Sequence, residues 1–399
     1  METIGIICEY NPLHRGHIYH IEQTRSALGS DSAVVCAMSG NFVQRGDFAV
    51  FNKHSRAQAA VMCGADLVLE IPSPYALSSA EGFARAGVHI LEGIGVCDHI
   101  SFGSESGDIA ALEDAAKAIA SHGATAVMKE WLKEGLPYAA AQQKAADTVL
   151  GKDSDILRSP NNLLGIEYLK ALASGGSTLR PMTIRRTGGS HDGDCGYSAS
   201  YLREKLLLGE THWEMMPDAA SEVFKREIEE GRGPISMKSC ELAMLSRLRE
   251  AVDFSALPGA TEGIERRLSR CAASEATIAK ILEGTKTKRY AMSRIRRMLM
   301  CACLGITSED TLEPPPYIRV LAMNRVGMGL LKGARKNTKL PIITKPSSAK
   351  TMPGRAARMF SKEAAATDFY VLAYQNENYR TGGQEWRQSP RVEYQAHIK

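Results

Sequence analysis

Residues 5–20 read GIICEYNPLHRGHIYH, and this order of side chains predicts a strand, a polar turn and a helix in succession. The short apolar run Ile4–Cys8 has the length and composition of a buried strand. The turn NPLHRGH, Asn11 to His17, follows it, and a helical pattern begins within the turn. A glycine there lets the backbone approach a phosphate, while the helix start offers free N–H groups and the positive end of its dipole. His14 and His17, one helical turn apart, can donate hydrogen bonds to phosphoryl oxygens. Such a site suits attack on the α-phosphate of a nucleoside triphosphate with pyrophosphate leaving, because fixed donors meet the charge that develops. On H-x-G-H alone, a strand-to-helix turn with incidental histidines stays open.

A second motif narrows the choice. Residues 197–203 read YSASYLR and lead into a helix through Glu204, Lys205 and Leu206. The stretch resembles the I-S-S-T-x-I-R element of the nucleotidyltransferase superfamily that shares its architecture with class I aminoacyl-tRNA synthetases. Ser198, Ala199, Ser200 and Arg203 occupy the matching positions, with Tyr197 in the leading apolar place. In that superfamily the hydroxyl residues sit at a helix N-terminus and the arginine reaches the β- and γ-phosphates. A serine N-cap with a solvated arginine is the alternative reading. Taken together, two phosphate-gripping helix starts describe an ATP site closed from two sides.

The bulk properties are those of a soluble globular protein. The chain has 399 residues, 44% hydrophobic and 24% charged, enough for two or three domains. No apolar run nears the ~20 residues of a membrane helix, so no membrane association is expected. The start, Met-Glu-Thr-Ile-Gly, lacks a basic n-region, so no signal peptide is expected. Nine cysteines without C-x-x-C spacing read as reduced thiols of a cytoplasmic protein, and no protein-held metal site is expected. The net charge of +4 is unevenly spread. Thr285–Arg297 (TKTKRYAMSRIRR) and Tyr317–Lys350 carry many bases and no acid, with Tyr290 and Tyr317 interleaved. Such stretches read as a polyanion-binding surface for nucleic acid, the alternative being a solvated basic face.

The first ~125 residues alternate short apolar runs with helical stretches, which predicts a parallel sheet with crossover helices. The expected strands are Gly5–Cys8, Ala33–Met38, Leu67–Ile71, His99–Phe102 and 180–186, and the expected helices His17–Ala27, Lys53–Cys63 and Ser79–Leu91. Ligands of open α/β sheets bind beyond the carboxyl ends of the strands. That directs attention to Glu9-Tyr10-Asn11, Ser39-Gly40-Asn41 and Gly103-Ser104-Glu105. Gly103 after the fourth strand suits passage of a ribose or adenine, or is a plain turn glycine. Lys53 in FNKHSR reads as a triphosphate ligand or a solvated lysine. In SPNN, Asn161 or Asn162 reads as the cap of the next helix, the other amide then being free for a base edge or ribose. A glycine-rich loop, GGSHDGD, precedes YSASYLR. Residues 219–305 read as mainly helical. Pro314-Pro315-Pro316 marks a linker or hinge, and beyond it a helix Val320–Lys332 and a short strand Pro341–Thr344 are expected.

With NPLHRGH, FGSESGD (102–108), SPNN (159–162), YSASYLR, TKRY (287–290) and PYIR (316–319) in order, the whole chain resembles the bacterial tRNA(Met) cytidine acetate ligases. The resemblance implies an α/β fold: a Rossmann-like nucleotidyltransferase domain with a parallel sheet, then a mainly helical basic domain. The expected boundaries are 1–210 for the ATP-binding catalytic domain, 211–313 for the helical tRNA-binding region and 314–399 for a C-terminal α+β region. It implies activation of acetate by ATP, with Mg²⁺ bound through the triphosphate, and transfer of the acetyl group to N4 of the wobble cytidine of elongator tRNA(Met). His14 and His17 would be catalytic. ATP would meet Ile7, Cys8, Glu9, Tyr10, Asn11, Pro12, Leu13, His14, Arg15, Gly16, His17, Ile18, Tyr19 and His20. It would also meet Gly103, Asn162, the pair Arg185 and Arg186 (with Arg186 preferred), and Ser198, Ser200 and Arg203. The tRNA would meet Lys286, Lys288, Arg289, Arg294, Arg297 and Arg319. Two other readings share parts of the pattern: a nucleotidyltransferase acting on a small acceptor, and an RNA-binding protein with a vestigial nucleotide site.

Overall fold

The computed structural model describes residues 1–134, 138–151, 155–186, 198–250 and 252–394. Tyr197, Cys195 and the GGSHDGD stretch lie outside the described residues.

The chain opens with β1 (Thr3–Cys8), α1 (Arg15–Leu28) and β2 (Ala33–Ser39), then a small hairpin, β3 (Phe42–Val43) and β4 (Asp47–Phe48). Next come α2 (Lys53–Met62), β5 (Leu67–Ile71), α3 (Ser73–Ala76), α4 (Ala80–Gly93) and β6 (His99–Ser104). Helices α5 (Ile109–Ala120), α6 (His122–Lys133), α7 (Tyr138–Leu150) and α8 (Pro160–Gly175) precede β7 (Arg180–Arg185). Helices α9 (Ala199–Leu207), α10 (Asp218–Glu229), α11 (Glu241–Arg249), α12 (Ile264–Ser274), α13 (Ile278–Thr285) and α14 (Met292–Leu304) form the helical part. The chain then returns through β8 (Ile318–Met323), α15 (Arg325–Asn337), β9 (Ile342–Ile343), α16 (Gly354–Val371) and β10 (Arg391–Val392).

The main sheet runs β10-β8-β5-β2-β1-β6-β7, with β9 beside β8. Strands β1, β2, β5, β6 and β7 are parallel, as the alternation of apolar runs and helices predicts. Strand β8 pairs antiparallel with β5, so residues beyond 314 extend the same sheet. The expected helix Val320–Lys332 is therefore corrected: its first part is a strand, and Asn324 caps α15 by accepting from the Gly327 N–H at 3.0 Å. An apolar run as short as IRVLAM satisfies either period, and the open edge of β5 decides it. The triple proline is tied down, for Tyr75 Oη donates to the Glu313 carbonyl and Arg355 Nη1 to that of Pro314, each at 2.7 Å.

Each face of the sheet has its own core. Ile90 and Leu91 of α4 and Ile166 and Leu169 of α8 cover one face, and Ile21 of α1 and Ala57 and Ala60 of α2 cover the other. Helix α4 can lie directly on β1 because residue 5 is glycine: a Cβ there would stand 2.6 Å from Leu91 Cδ1. A third core joins α11–α14 to Phe369 and Tyr370 of α16 and to Phe42 and Phe48 of the hairpin. That hairpin follows β2 directly, so the helical part is anchored at the carboxyl edge of the parallel strands, where the site lies.

Candidate active site

After β1 the backbone turns through Tyr10 (φ +45°) and a cis Asn11–Pro12 bond into α1. His14 is the N-cap: its Nδ1 accepts from the Gly16 N–H at 3.1 Å, while His17 Nδ1 accepts from the His14 N–H at 3.2 Å. This reciprocal cap settles the tautomers. With both Nδ1 atoms accepting, the neutral rings carry their protons on Nε2, which leaves two N–H donors. The rings lie 3.9 Å apart, centroid to centroid, with Tyr10 against His17 at 5.0 Å. Burial pushes the His14 imidazole down to about 4, helped by the charges of Arg186 and Arg203. Burial also lowers His17, with His14 and Arg186 adding to it, and brings His20 to about 4, with Arg186 adding to it. All three rings are therefore neutral at pH 7 in the free protein. His20 Nε2 is paired with Ser101 Oγ at 2.9 Å.

The second motif meets the first. Arg203 Nη1 donates to the Asn11 carbonyl at 2.6 Å and Nη2 to Ser200 Oγ at 2.8 Å. Ser198 is the N-cap of α9, accepting from the Tyr201 N–H at 3.3 Å. From the third side, the Arg186 N–H bonds the Ser104 carbonyl at 2.9 Å. A Cβ on Gly103 would come 3.2 Å from Arg186 Cγ, whereas Arg185 packs over Gly107. Arg186 is thus the member of the pair that faces the histidines. Gly103 lies within β6 rather than after it.

Several expectations are corrected here. Lys53 is fully buried and bonded to Glu70 at 2.6 Å and Glu385 at 2.7 Å, so it reaches no phosphate. The residue of FNKHSR that serves the site is Arg56, which donates to the carbonyls of Glu9, Ser39, Gly40 and Phe51 and so binds the ends of β1 and β2 together. Neither asparagine of SPNN caps its helix through its side chain. The Glu105 carboxylate takes the α8 start instead, accepting from the Asn161 N–H at 3.3 Å and the Asn162 N–H at 2.9 Å. Asn162 Oδ1 returns the bond to the N–H groups of Glu105 and Ser106 at 2.9 and 3.1 Å. The hairpin turn Gln44-Arg45-Gly46-Asp47 escaped the sequence reading, although the Gln44 N–H donates to Glu9 Oε1 at 2.7 Å and the Arg45 charge bears on Arg203. Its Q-R-G-D composition signals only a turn.

The basic stretches divide in two. Lys286, Lys288 and Arg289 are exposed at the start of the loop before α14. Arg294 is held by Glu262 Oε2 at 2.9 Å and the Gly259 carbonyl at 2.8 Å, and Arg297 lies half-buried near the Gln44 carbonyl at 3.5 Å. Arg319 is corrected outright: it is fully buried in β8, bonded to Glu385 at 3.2 Å and to the Gln388 carbonyl at 2.5 Å, and cannot meet RNA. Tyr290 and Tyr317 are buried as well and offer no stacking face. In a half-buried helix or strand a basic run turns some of its members inward, and those need partners.

A site at the carboxyl edge of a parallel sheet, with an H-x-G-H helix start on one side and an arginine of a second helix start on the other, is the decisive arrangement. The family model for HIGH nucleotidyl transferases matches residues 1–385. The chain belongs to that family. Among its relatives, a tRNA(Met) cytidine acetate ligase of Acetivibrio thermocellus is 35% identical, the match covering 98% of this chain and 99% of the relative. One of Caldanaerobacter subterraneus is 38% identical over 94% and 96% of the two chains. A crystal structure of Thermotoga maritima TmcAL bound with alpha-thio ATP superposes with a TM-score of 0.91 at 31% identity, covering 99% of this chain and 100% of that one. The resemblance drawn from the six motifs is borne out, as is the fold class.

Proposed function

We propose that this HIGH nucleotidyl transferase is an ATP-dependent ligase that acetylates elongator tRNA(Met). In the first step an acetate oxygen attacks the α-phosphorus of ATP. An O–P bond forms, the bond to the bridging oxygen breaks, and pyrophosphate leaves. In the second step N4 of the wobble cytidine attacks the acetyl carbon, AMP leaves, and N4 loses a proton to give N4-acetylcytidine.

The observation that carries this reading is the bond from Arg203 to the Asn11 carbonyl, which brings two phosphate motifs 192 residues apart into contact. Full-length similarity to named tRNA(Met) cytidine acetate ligases supports the acceptor. The first step needs positioning and charge neutralisation rather than a protein nucleophile. The Nε2–H groups of His14 and His17 would face the α-phosphoryl oxygens. Arg203, Ser198 and Ser200 would hold the departing pyrophosphate. Residues 7–20, Gly103, Asn162 and Arg186 would line the nucleotide.

Among the described residues no three or more His, Cys, Asp or Glu side chains gather to hold a metal. The donors around the turn are N–H groups and guanidiniums, which suit phosphate oxygens. Mg²⁺ would therefore enter on the triphosphate and offset its charge. No helix among the described residues is long and apolar enough to cross a membrane. A tRNA substrate and free cysteines fit a cytoplasmic enzyme.

Exchange of labelled pyrophosphate into ATP tests the reading. Exchange with acetate alone, followed by N4-acetylcytidine when tRNA is added, is expected. Exchange only with another acceptor would make the chain a small-molecule nucleotidyltransferase, and none at all an RNA-binding protein.

A further inference from the structure

A cleft of about 510 Å³ runs along the outer face of α4, between that helix and the segments around Pro258, Arg297 and Pro315. Helix α4 lines it from Ser79 to Glu92, about 20 Å at 1.5 Å per residue. One end reaches toward the active site through Gln44. Ser78 and Arg297 line the cleft there, and both touch Gln44: Gln44 Nε2 donates to the Ser78 carbonyl at 3.4 Å, and Arg297 Nη1 lies 3.5 Å from the Gln44 carbonyl. The N–H of that same Gln44 bonds Glu9, two residues before Asn11. Gln44 and Glu9 thus link that end of the cleft to the strand end that leads into the H-x-G-H turn.

The charges along the cleft sort by whether they are already answered. Arg294 is bound to Glu262, and Glu313 to Arg355 at 3.4 Å. Arg85, Arg297 and Glu92 have no ion-pair partner among the described residues, so the unanswered cations outnumber the unanswered carboxylate two to one. Arg85 is exposed one turn into α4, near a helix start whose Ser79 hydroxyl already accepts from the Gly82 N–H at 3.2 Å. Burial lowers the Arg297 pKa, the mark of a guanidinium held at some cost away from water. In the wall between them His89 lines the cleft beside Pro315, and its Nε2 is buried without a hydrogen-bond partner. Two unanswered cations, a positive helix end and an elongated opening beside a reactive centre suit a sugar–phosphate strand.

We propose that this cleft receives the single-stranded RNA flanking the acceptor base, its phosphates against Arg85 and Arg297, so that the base enters the active site past Gln44. The proposal rests on the ligase reading and adds the path of the polynucleotide. An enzyme that acts on a base must draw it out of its stack into the pocket, and the neighbouring nucleotides then need their own track. The exposed Lys286, Lys288 and Arg289 would meet the tRNA body elsewhere on the helical part.

Two variants of the full-length protein test it by independent means: Arg85→Glu reverses a charge, and Ser174→Trp puts a bulky ring into the lining of the cleft. Each is measured for acetate-dependent pyrophosphate exchange, for affinity to an elongator tRNA(Met) transcript across a salt series, and for the KM of that tRNA in acetylation. Exchange stays at the parent level in both. Arg85→Glu weakens tRNA binding by roughly tenfold or more and lowers the log–log salt slope by about 0.7–0.9. Ser174→Trp raises the KM for tRNA with kcat little changed. Parental tRNA affinity, slope and KM in both variants would overturn the proposal. Failure of the parent itself to exchange pyrophosphate with acetate would overturn the ligase reading, and the binding series would still decide whether RNA uses the cleft.

Discussion

Replacing His14 separates two duties that the structure gives one side chain. Its Nδ1 caps α1 through the Gly16 N–H at 3.1 Å, and its Nε2–H is free to meet a phosphoryl oxygen. The reverse bond of the capping box uses the His14 backbone N–H, which alanine and asparagine keep. His14→Ala therefore removes one cap bond, costing about 0.5–2 kcal/mol of stability. It also removes one fixed donor, which costs roughly 10²–10³ in the rate of adenylate formation. His14→Asn keeps an acceptor of N-cap length, so most of the stability returns, but its short amide does not extend to where Nε2 lies. Urea denaturation should thus rank the proteins parent, Asn, Ala, while pyrophosphate exchange places Asn and Ala together at least a hundredfold below the parent. If His14→Asn exchanges within tenfold of the parent, the outward ring nitrogen is not the group that matters. If His14→Ala loses more than about 4 kcal/mol, the ring is a core residue first, and its kinetic effect says little about catalysis.

Three further predictions follow from other contacts. Arg203→Ala should raise the KM for ATP and slow adenylation ten- to hundredfold, the equivalent of a charge-assisted bond of about 1.5–3 kcal/mol, yet leave transfer from supplied acetyl-adenylate nearly intact; equal losses in both half-reactions would refute the pyrophosphate role. Glu385→Ala leaves Lys53 and Arg319 buried without their shared carboxylate and should cost on the order of 3–5 kcal/mol in urea denaturation, whereas a loss under 1 kcal/mol would mean that water reaches the cluster. Glu363 is fully buried; burial and the neighbouring Glu70 charge push its pKa from 4.5 to about 8, so its contribution to stability is complete below pH 4.5 and is lost as pH rises to 8, at most ~1.4 kcal/mol per pH unit. Glu363→Gln should flatten that fall between pH 5 and 8, and an equally steep fall in the variant would sink the assignment.

The strand, turn and helix of residues 3–28 were legible because an apolar run gives way to a 3.6-residue pattern at a glycine. Leu67–Ile71 is the predicted strand to the residue. The helix boundaries at Lys53 and Ala80 also fall within a residue of expectation, each set by a polar cap, Asn52 and Ser79. What escaped reading depends on partners distant in the chain. Nothing near Lys53 or Arg319 reveals that Glu385 answers both, so each looked like a surface base. Asn162 was singled out, but the carboxylate that caps its helix comes from Glu105, across a stretch of three helices. Arg56 looks as solvated as Lys53 in FNKHSR, and only the convergence of the β1 and β2 carbonyls shows what it binds.

Glu385 has a bearing on how the chain comes to be active. It neutralises Lys53 at the start of α2 and Arg319 in β8, two cations sealed within the sheet's carboxyl edge, and it enters late in the chain. On the ribosome the parallel strands can pair and the helices dock while residue 385 is still inside the exit tunnel, but Arg319 then stands without a carboxylate and Lys53 has Glu70 alone. The nascent domain stays open at the edge that holds the nucleotide until that carboxylate arrives. Closure of the sheet and completion of the site therefore become a single late event, and a chain cut short before residue 385 would not be a weakened enzyme but an unfinished fold.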